Sequence, residues 1–259
     1  MARHGGTVAG DAFGPDARAV AMGAAGARAE GVSGGGAARM VGRVGLLRGF
    51  PRRDKLRYDP AGRPLRTLRP GPWTLAEMRV DRVDFRGGWL RLRGVREGLL
   101  LPNFESVSWH EALAVRVRLG ADPLNRATIR MLNRGIFISM AELPAAVPAY
   151  WRRFAGGPSP QHRRHARRIR GAVVNPREVY APNPRYTRAA RRFGLTGGSE
   201  IRFLVGLDGR AHRIQIVRPI GLGLDDNAVR AVRSWRFQPG RIGGVPTAMV
   251  AHTWINFHL

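Results

Sequence analysis

The sequence predicts an α+β protein ending in an α-β-β-α-β unit, a three-stranded antiparallel sheet with two helices on one face, preceded by a small β-rich domain. Three observations carry this. Ile201, Phe203, Val205 and Leu207 alternate as one buried face and run into Asp208-Gly209, a strong hairpin signal. Ala228, Ala231, Val232 and Trp235 have the spacing of an amphipathic helix. Met249, Ala251, Thr253, Ile255, Phe257 and Leu259 then share one face of a long last strand, with His252, Asn256 and His258 on the other.

In chain order, residues 1–50 are rich in Gly, Ala and Arg and show no helical or strand period, so they are expected to be flexible. Gly31-Val32-Ser33-Gly34-Gly35 fits G-x-S-x-G by letter, but it lacks the strand and helix that a nucleophile elbow needs. Ala19 to Ala27 is too weakly apolar for a signal peptide. No apolar run reaches the length of about 18 residues that a membrane-spanning helix requires.

Residues 54–155 read as the small β-rich domain with a helical end. Met78, Val80, Val83 and Phe85 nearly alternate, and their slip at Asp81/Arg82 predicts a bulge. Gly87-Gly88 turns the chain into Leu90-Arg91-Leu92-Arg93, and Leu113 to Leu119 forms a cleaner strand. Asp122-Pro123 is the expected helix start, with the helix running through Ile129 and Leu132 to Gly135. A second short helix from Pro148 to Phe154 would bury Tyr150, Trp151 and Phe154.

Residues 156–178 are expected to be a Gly/Pro and basic linker, because Gly and Pro break structure and the arginine run repels itself. His162 and His165 lie close together, but no Cys or carboxylate nearby completes a metal site, and no metal or other cofactor is expected. From residue 179 to 259 the terminal unit begins with a short helix from Thr187 to Phe193, closed by Gly194. Asp225 and Asp226 fall where a helix N-terminus favours negative charge, and Pro239 prevents that helix from continuing beyond the Trp235 region. After Gly243-Gly244 the last strand begins.

Composition narrows the function classes. The net charge of +26 invites a nucleic-acid partner. Lys55, however, is the sole lysine, and the arginines are spread along the chain instead of gathering on one arm. Nucleic acid is therefore disfavoured. The absence of cysteine excludes disulfides and thiol catalysis. No nucleophile–base constellation, paired carboxylates or phosphate loop supports an enzyme.

The succession Pro184-x-Tyr186, Ala189-Ala190-Arg191, Asp208-Gly209-Arg210, Gly223-Leu224-Asp225, Ala228-Val229-x-Ala231-Val232-x-x-Trp235-x-Phe237-x-Pro239 and Ile255-Asn256-Phe257 resembles the C-terminal domain of TonB-family energy transducers. No single piece is specific, but their order and spacing are. Gly71-Pro72-Trp73-Thr74 and Val147-Pro148-Ala149-Tyr150-Trp151 are similar to the region ahead of this domain in some soil-bacterial TonB-like proteins.

The resemblance implies a periplasmic or cell-envelope location and a TonB-dependent outer-membrane receptor as partner, bound by β-strand addition. Inner-membrane proton-motor proteins are a further implied partner where an anchor exists. The implied contact residues are Asn183, Pro184, Arg185 and Tyr186, then Thr247, Met249, Val250, Ala251, His252, Trp254 and Asn256 of the last strand. Asn183 stands where the family usually has Gln. Val250 and Trp254 either pack beneath the middle domain or the linker, or form an exposed patch beside the receptor edge. The sequence shows neither an anchor nor the Pro-rich spacer of the family, so a protein-binding module without energy coupling is the alternative expectation.

Overall fold

The computed structural model describes residues 40–101, 103–119, 125–155 and 171–259. The Gly31–Gly35 motif, the Asp122-Pro123 helix start and the basic run with His162 and His165 lie outside the described residues. The fold is α+β. Its first part is a six-stranded sheet in the order β2-β5-β4-β3-β1-β6. The strands are β1 Val44–Leu47, β2 Lys55–Tyr58, β3 Glu77–Arg86, β4 Trp89–Leu100, β5 Glu105–Arg118 and β6 Phe137–Ile138. β2 runs parallel to β5 and the other pairs are antiparallel.

The bulge in β3 falls between Val80 and Arg82, and β3 turns into β4 at Gly87-Gly88. Helix α1, Arg126–Met131, is capped by Asn125, whose side chain accepts from the Thr128 amide at 2.9 Å. One turn of π-helix from Leu132 to Ile136 then carries the chain through Gly135. A short helix α2, Leu143–Ala146, precedes a 3-10 turn at Ala149–Trp151, where a longer helix to Phe154 was expected. Trp151 is wholly buried there, while Tyr150 and Phe154 are half-buried.

Residues 44–47 correct the expectation of a flexible segment through residue 50. Leu46 and Leu47 are buried on opposite faces of β1 and belong to different apolar cores. One core holds Leu47, Leu92, Val115 and Ile136 within the first part. The other runs from Leu46, Trp73 and Leu99 through to Phe203, Val232 and Phe257, so both parts of the chain share it.

The second part contains helix α3, Arg188–Phe193, and helix α4, Leu224–Ser234. Its main sheet has the order β10-β9-β14, with β9 Gly197–Val205, β10 Ala211–Arg218 and β14 Met249–Phe257. Thr187 caps α3 by accepting from the Ala190 amide at 3.1 Å, and Gly194 closes it in the left-handed region. Ala189 and Ala190 of α3 and Val229 and Val232 of α4 meet Ile201, Phe203 and Val205 in the shared core.

The expected linker also differs from the part of it that is described. Strands β7, Val173–Val174, and β8, Arg177–Tyr180, pair with β12, Gly240–Ile242, and β11, Arg236–Gln238. Val173-Val174 and Val179-Tyr180 have the β-branched and aromatic character that suits such pairing. Gly243-Gly244 turns β12 into β13, Val245–Thr247, rather than leading directly into the last strand.

Glu77 and Glu97 face one another across β3 and β4. Ser106 Oγ donates to Glu77 Oε2 at 2.7 Å, and Arg79 reaches Glu97 at 2.9 Å. Burial pushes Glu77 up to about 7, with the Ser106 bond opposing and Glu97 reinforcing. Because the folded chain favours the protonated acid, this contribution to stability is full below the ordinary value of 4.5 and is lost as pH rises to about 7. Urea denaturation should therefore show the protein less stable at pH 7.5 than at pH 5. Glu77→Gln should reduce that slope, leaving the part due to Asp225, and add about 2–3 kcal/mol at pH 7.5. An unchanged slope in the variant would assign the pH dependence elsewhere.

Candidate partner-binding edge

Along β14 the residues alternate between a covered set ending in Ile255 and Phe257 and an exposed set of Val250, His252, Trp254 and Asn256, so one face is buried while the other meets solvent. It pairs with β9 in unbroken register from Met249↔Val205 to Phe257↔Gly197. In the sheet order β10-β9-β14 its far side has no strand among the described residues. An edge strand presents a row of backbone N–H and C=O groups that a further strand can pair with.

Met249 and Ala251 are half-buried on the helix side, where Ile255 and Phe257 are fully covered. Val250, His252, Trp254 and Asn256 are exposed on the opposite face, with Val250 at 47% and Trp254 at 51%. Among the described residues, neither Val250 nor Trp254 is packed beneath the middle domain. Thr247 belongs to β13 and not to the edge strand.

Trp254 is held in a defined pose. Its ring lies over Gly198, where a Cβ would approach ring carbon Cε3 to 3.0 Å, and the Arg218 guanidinium stacks 5.7 Å from the ring centroid. Arg218 reaches Glu200 at 3.3 Å, and His252 Nδ1 lies 3.3 Å from the same carboxylate. Sequence reading missed Arg218 and Glu200 as members of this patch. They join it only through the cross-strand register that sets Glu200 opposite Trp254.

Of Asn183 to Tyr186, the last two residues make contacts on the helix side of the sheet. The Arg185 carbonyl accepts from Asn227 of α4, and Tyr186 donates its hydroxyl to the Leu195 carbonyl at 3.0 Å. The Tyr186 ring meets Phe257 edge-to-face at 5.5 Å. Asn183 and Arg185 are exposed, and Pro184 is half-buried. Tyr186 thus lies on the face opposite Val250, His252, Trp254 and Asn256, on the same side as Met249 and Ala251.

A separate open cleft of about 420 Å³ lies where the two parts meet, lined by Arg52, Arg96, Trp109, Glu111, Arg188 and Arg230 among others. Arg96, its most buried cation, spends its donors on Asp54 and on the carbonyls of Pro51, Arg53 and Leu75. It holds the fold together. Among the described residues no group of three or more His, Cys, Asp or Glu could hold a metal. Among them, too, no helix is long and apolar enough to cross a membrane.

A domain built on a three-stranded sheet with an open C-terminal edge strand is the class these features define. Residues 182–259 match the family described as Gram-negative bacterial TonB protein C-terminal, and that segment belongs to the TonB family. The chain is similar to Protein TonB of Vibrio cholerae serotype O1, with 35% identity over 79 residues. That match covers 29% of this chain and 32% of the relative, so the chain spans about a third of the relative's length. The solution NMR structure of the Pseudomonas aeruginosa TonB C-terminal domain matches at 26% identity with a TM-score of 0.28. It covers 33% of this chain and 87% of that one.

Proposed function

We propose that this chain is a TonB-like component of envelope transport whose C-terminal domain takes an extended segment of an outer-membrane receptor as a strand added to β14. The observation that carries the reading is the open edge of β14 within a TonB-family domain. Main-chain hydrogen bonds along the nine residues of β14 would supply affinity, and side chains on the two faces would set register. On the open face, the Trp254 ring stacked by Arg218 offers an apolar surface to a side chain of the incoming strand that falls beside it. On the helix side, Tyr186 abuts the C-terminal end of the edge through Phe257. The role is one of protein contact and not catalysis, and it calls for a domain on the periplasmic side of the envelope.

An NMR titration with peptides from the periplasm-facing ends of receptor plugs tests this. Amide shifts should concentrate in residues 247–257. Shifts that leave β14 untouched while moving other strands would end the proposal. Trp254→Ala should weaken peptide binding about 10-fold, as expected for an aromatic anchor at an interface. Being half exposed, it should leave folding stability within about 1 kcal/mol of the parent.

A further inference from the structure

The region ahead of the C-terminal domain is fastened to it by contacts of a kind that spacers do not make. The end of β4 continues as a bridge to the loop before α4, with the Leu101 amide donating to the Ile220 carbonyl and the Leu222 amide to the Leu99 carbonyl, each at 3.0 Å. The Gly223 amide donates to Thr74 Oγ1 at 2.9 Å. The loop must come this close without side chains. Gly221 has φ +100°, and a Cβ there would run into the Leu99 carbonyl oxygen. At Gly223, φ +73°, a Cβ would press on Pro72 and Leu75 at 3.0 Å.

A buried acid completes the joint. Asp226 of α4 accepts from Tyr150 Oη at 2.7 Å and from Trp151 Nε1 at 3.3 Å. Trp151 is wholly buried and meets Trp73 edge-to-face at 5.3 Å. Arg233 covers the Tyr150 ring from the C-terminal end of α4 at 5.3 Å. The same Ala149–Trp151 turn packs against β10, the other edge strand of the sheet. At the rim, Arg188 pairs with Glu111 at 3.2 Å and Arg192 donates to the Trp109 carbonyl at 3.0 Å.

We propose that residues 40–155 are a built-in partner of the C-terminal domain: a clamp seated on loop 220–226 and beside β10, which joins the two parts into one rigid body and leaves β14 as the edge open to a further strand. Only the last clause rests on strand addition. The clamp replaces the free motion of a tether with a fixed presentation of β14, and it shields the β10 flank from pairing with another chain.

Hydrogen exchange on the intact chain tests it directly. The amides of Leu101, Leu222 and Gly223 should exchange within about 10-fold of the Phe203 amide at the centre of β9, because the joint opens only when the core does. Exchange about 100-fold faster at the joint would overturn the clamp. In a second experiment a protease site is placed between residues 160 and 168 and cut. The two pieces should co-elute on size exclusion, and their immediate separation would also overturn it. Asp226→Asn keeps an acceptor at Oδ1 and should preserve both results, whereas Asp226→Ala should speed exchange at the joint roughly 10- to 100-fold. Equal behaviour of the two variants would remove Asp226 from the joint. Peptide binding at β14, measured on the same cut protein, reads strand addition separately from the clamp.

Discussion

Asp225→Ala is expected to lower the unfolding free energy by about 3–5 kcal/mol. Asp225 is completely buried at the start of α4. Its Oδ1 accepts from Ser199 Oγ at 2.7 Å and from the Ile220 amide at 3.0 Å, and its Oδ2 from the Gly221 amide at 2.8 Å. Alanine leaves three donors buried without an acceptor, and each such group costs about 1–3 kcal/mol. Asparagine keeps Oδ1 but turns an N–H₂ toward the Gly221 amide, so Asp225→Asn should fall between alanine and the parent. Burial pushes the Asp225 carboxyl up to about 6 against the pull of these three bonds. Its part in stability is therefore greatest in acid and declines as pH rises through about 6, in the same sense as Glu77. Urea unfolding of the three proteins at pH 5 and pH 7.5 checks the ranking, and a loss below about 1 kcal/mol for Asp225→Ala would show that the loop rearranges to supply new acceptors.

The second large effect concerns packing. Trp151→Ala should cost about 3–5 kcal/mol, the range for removing a large buried aromatic. The ring contacts Trp73 and Phe154, both edge-to-face, at 5.3 and 5.9 Å between centroids. Its loss opens a cavity in the core that both parts of the chain share. It also strips Asp226 of one of its two donors. Trp151→Phe separates the two contributions: most of the packing stays while the indole N–H goes, so about 1–2 kcal/mol is expected. Thermal unfolding monitored by far-UV circular dichroism would show both variants melting in a single step. An alanine variant in which residues 171–259 keep their parent melting temperature would contradict the shared core.

The terminal unit was largely legible because its signals are local. The Asp208-Gly209 hairpin and the alternation in β14 each span few residues, and periodicity reports which face is buried. Parity does not tell where a strand stops. Leu207 fits the alternation of Ile201, Phe203 and Val205, yet β9 ends at Val205 and Leu207 is 62% exposed in the turn. Gly206 accounts for this. Its amide donates to the Arg210 carbonyl and its carbonyl accepts from Gly209, which closes the turn before Leu207 can reach the sheet.

Elements made by distant partners were hidden. β1 is four residues among glycines and arginines, and its stability comes from β3 and β6 on either side of it. β7 and β8 are too short to show a period and exist through pairing with β12 and β11. At α4 the sequence showed two acids suited to a helix dipole, and the fold uses them as buried acceptors. The Tyr150 hydroxyl that meets Asp226 comes from 76 positions away, a relation that no local pattern encodes. The candidate edge was legible for the same reason as the strand. The support that Arg218 and Glu200 lend to Trp254 was not, because it depends on register.

The central claim is that a partner strand adds to β14. The most direct measurement is hydrogen exchange of the intact protein with and without a receptor-plug segment at saturating concentration. Strand addition predicts new protection at alternate amides within residues 249–257, those whose N–H groups point away from β9, with β10 unchanged. Protection confined to other elements, or spread evenly along β14 over amides that point toward and away from β9, would contradict it.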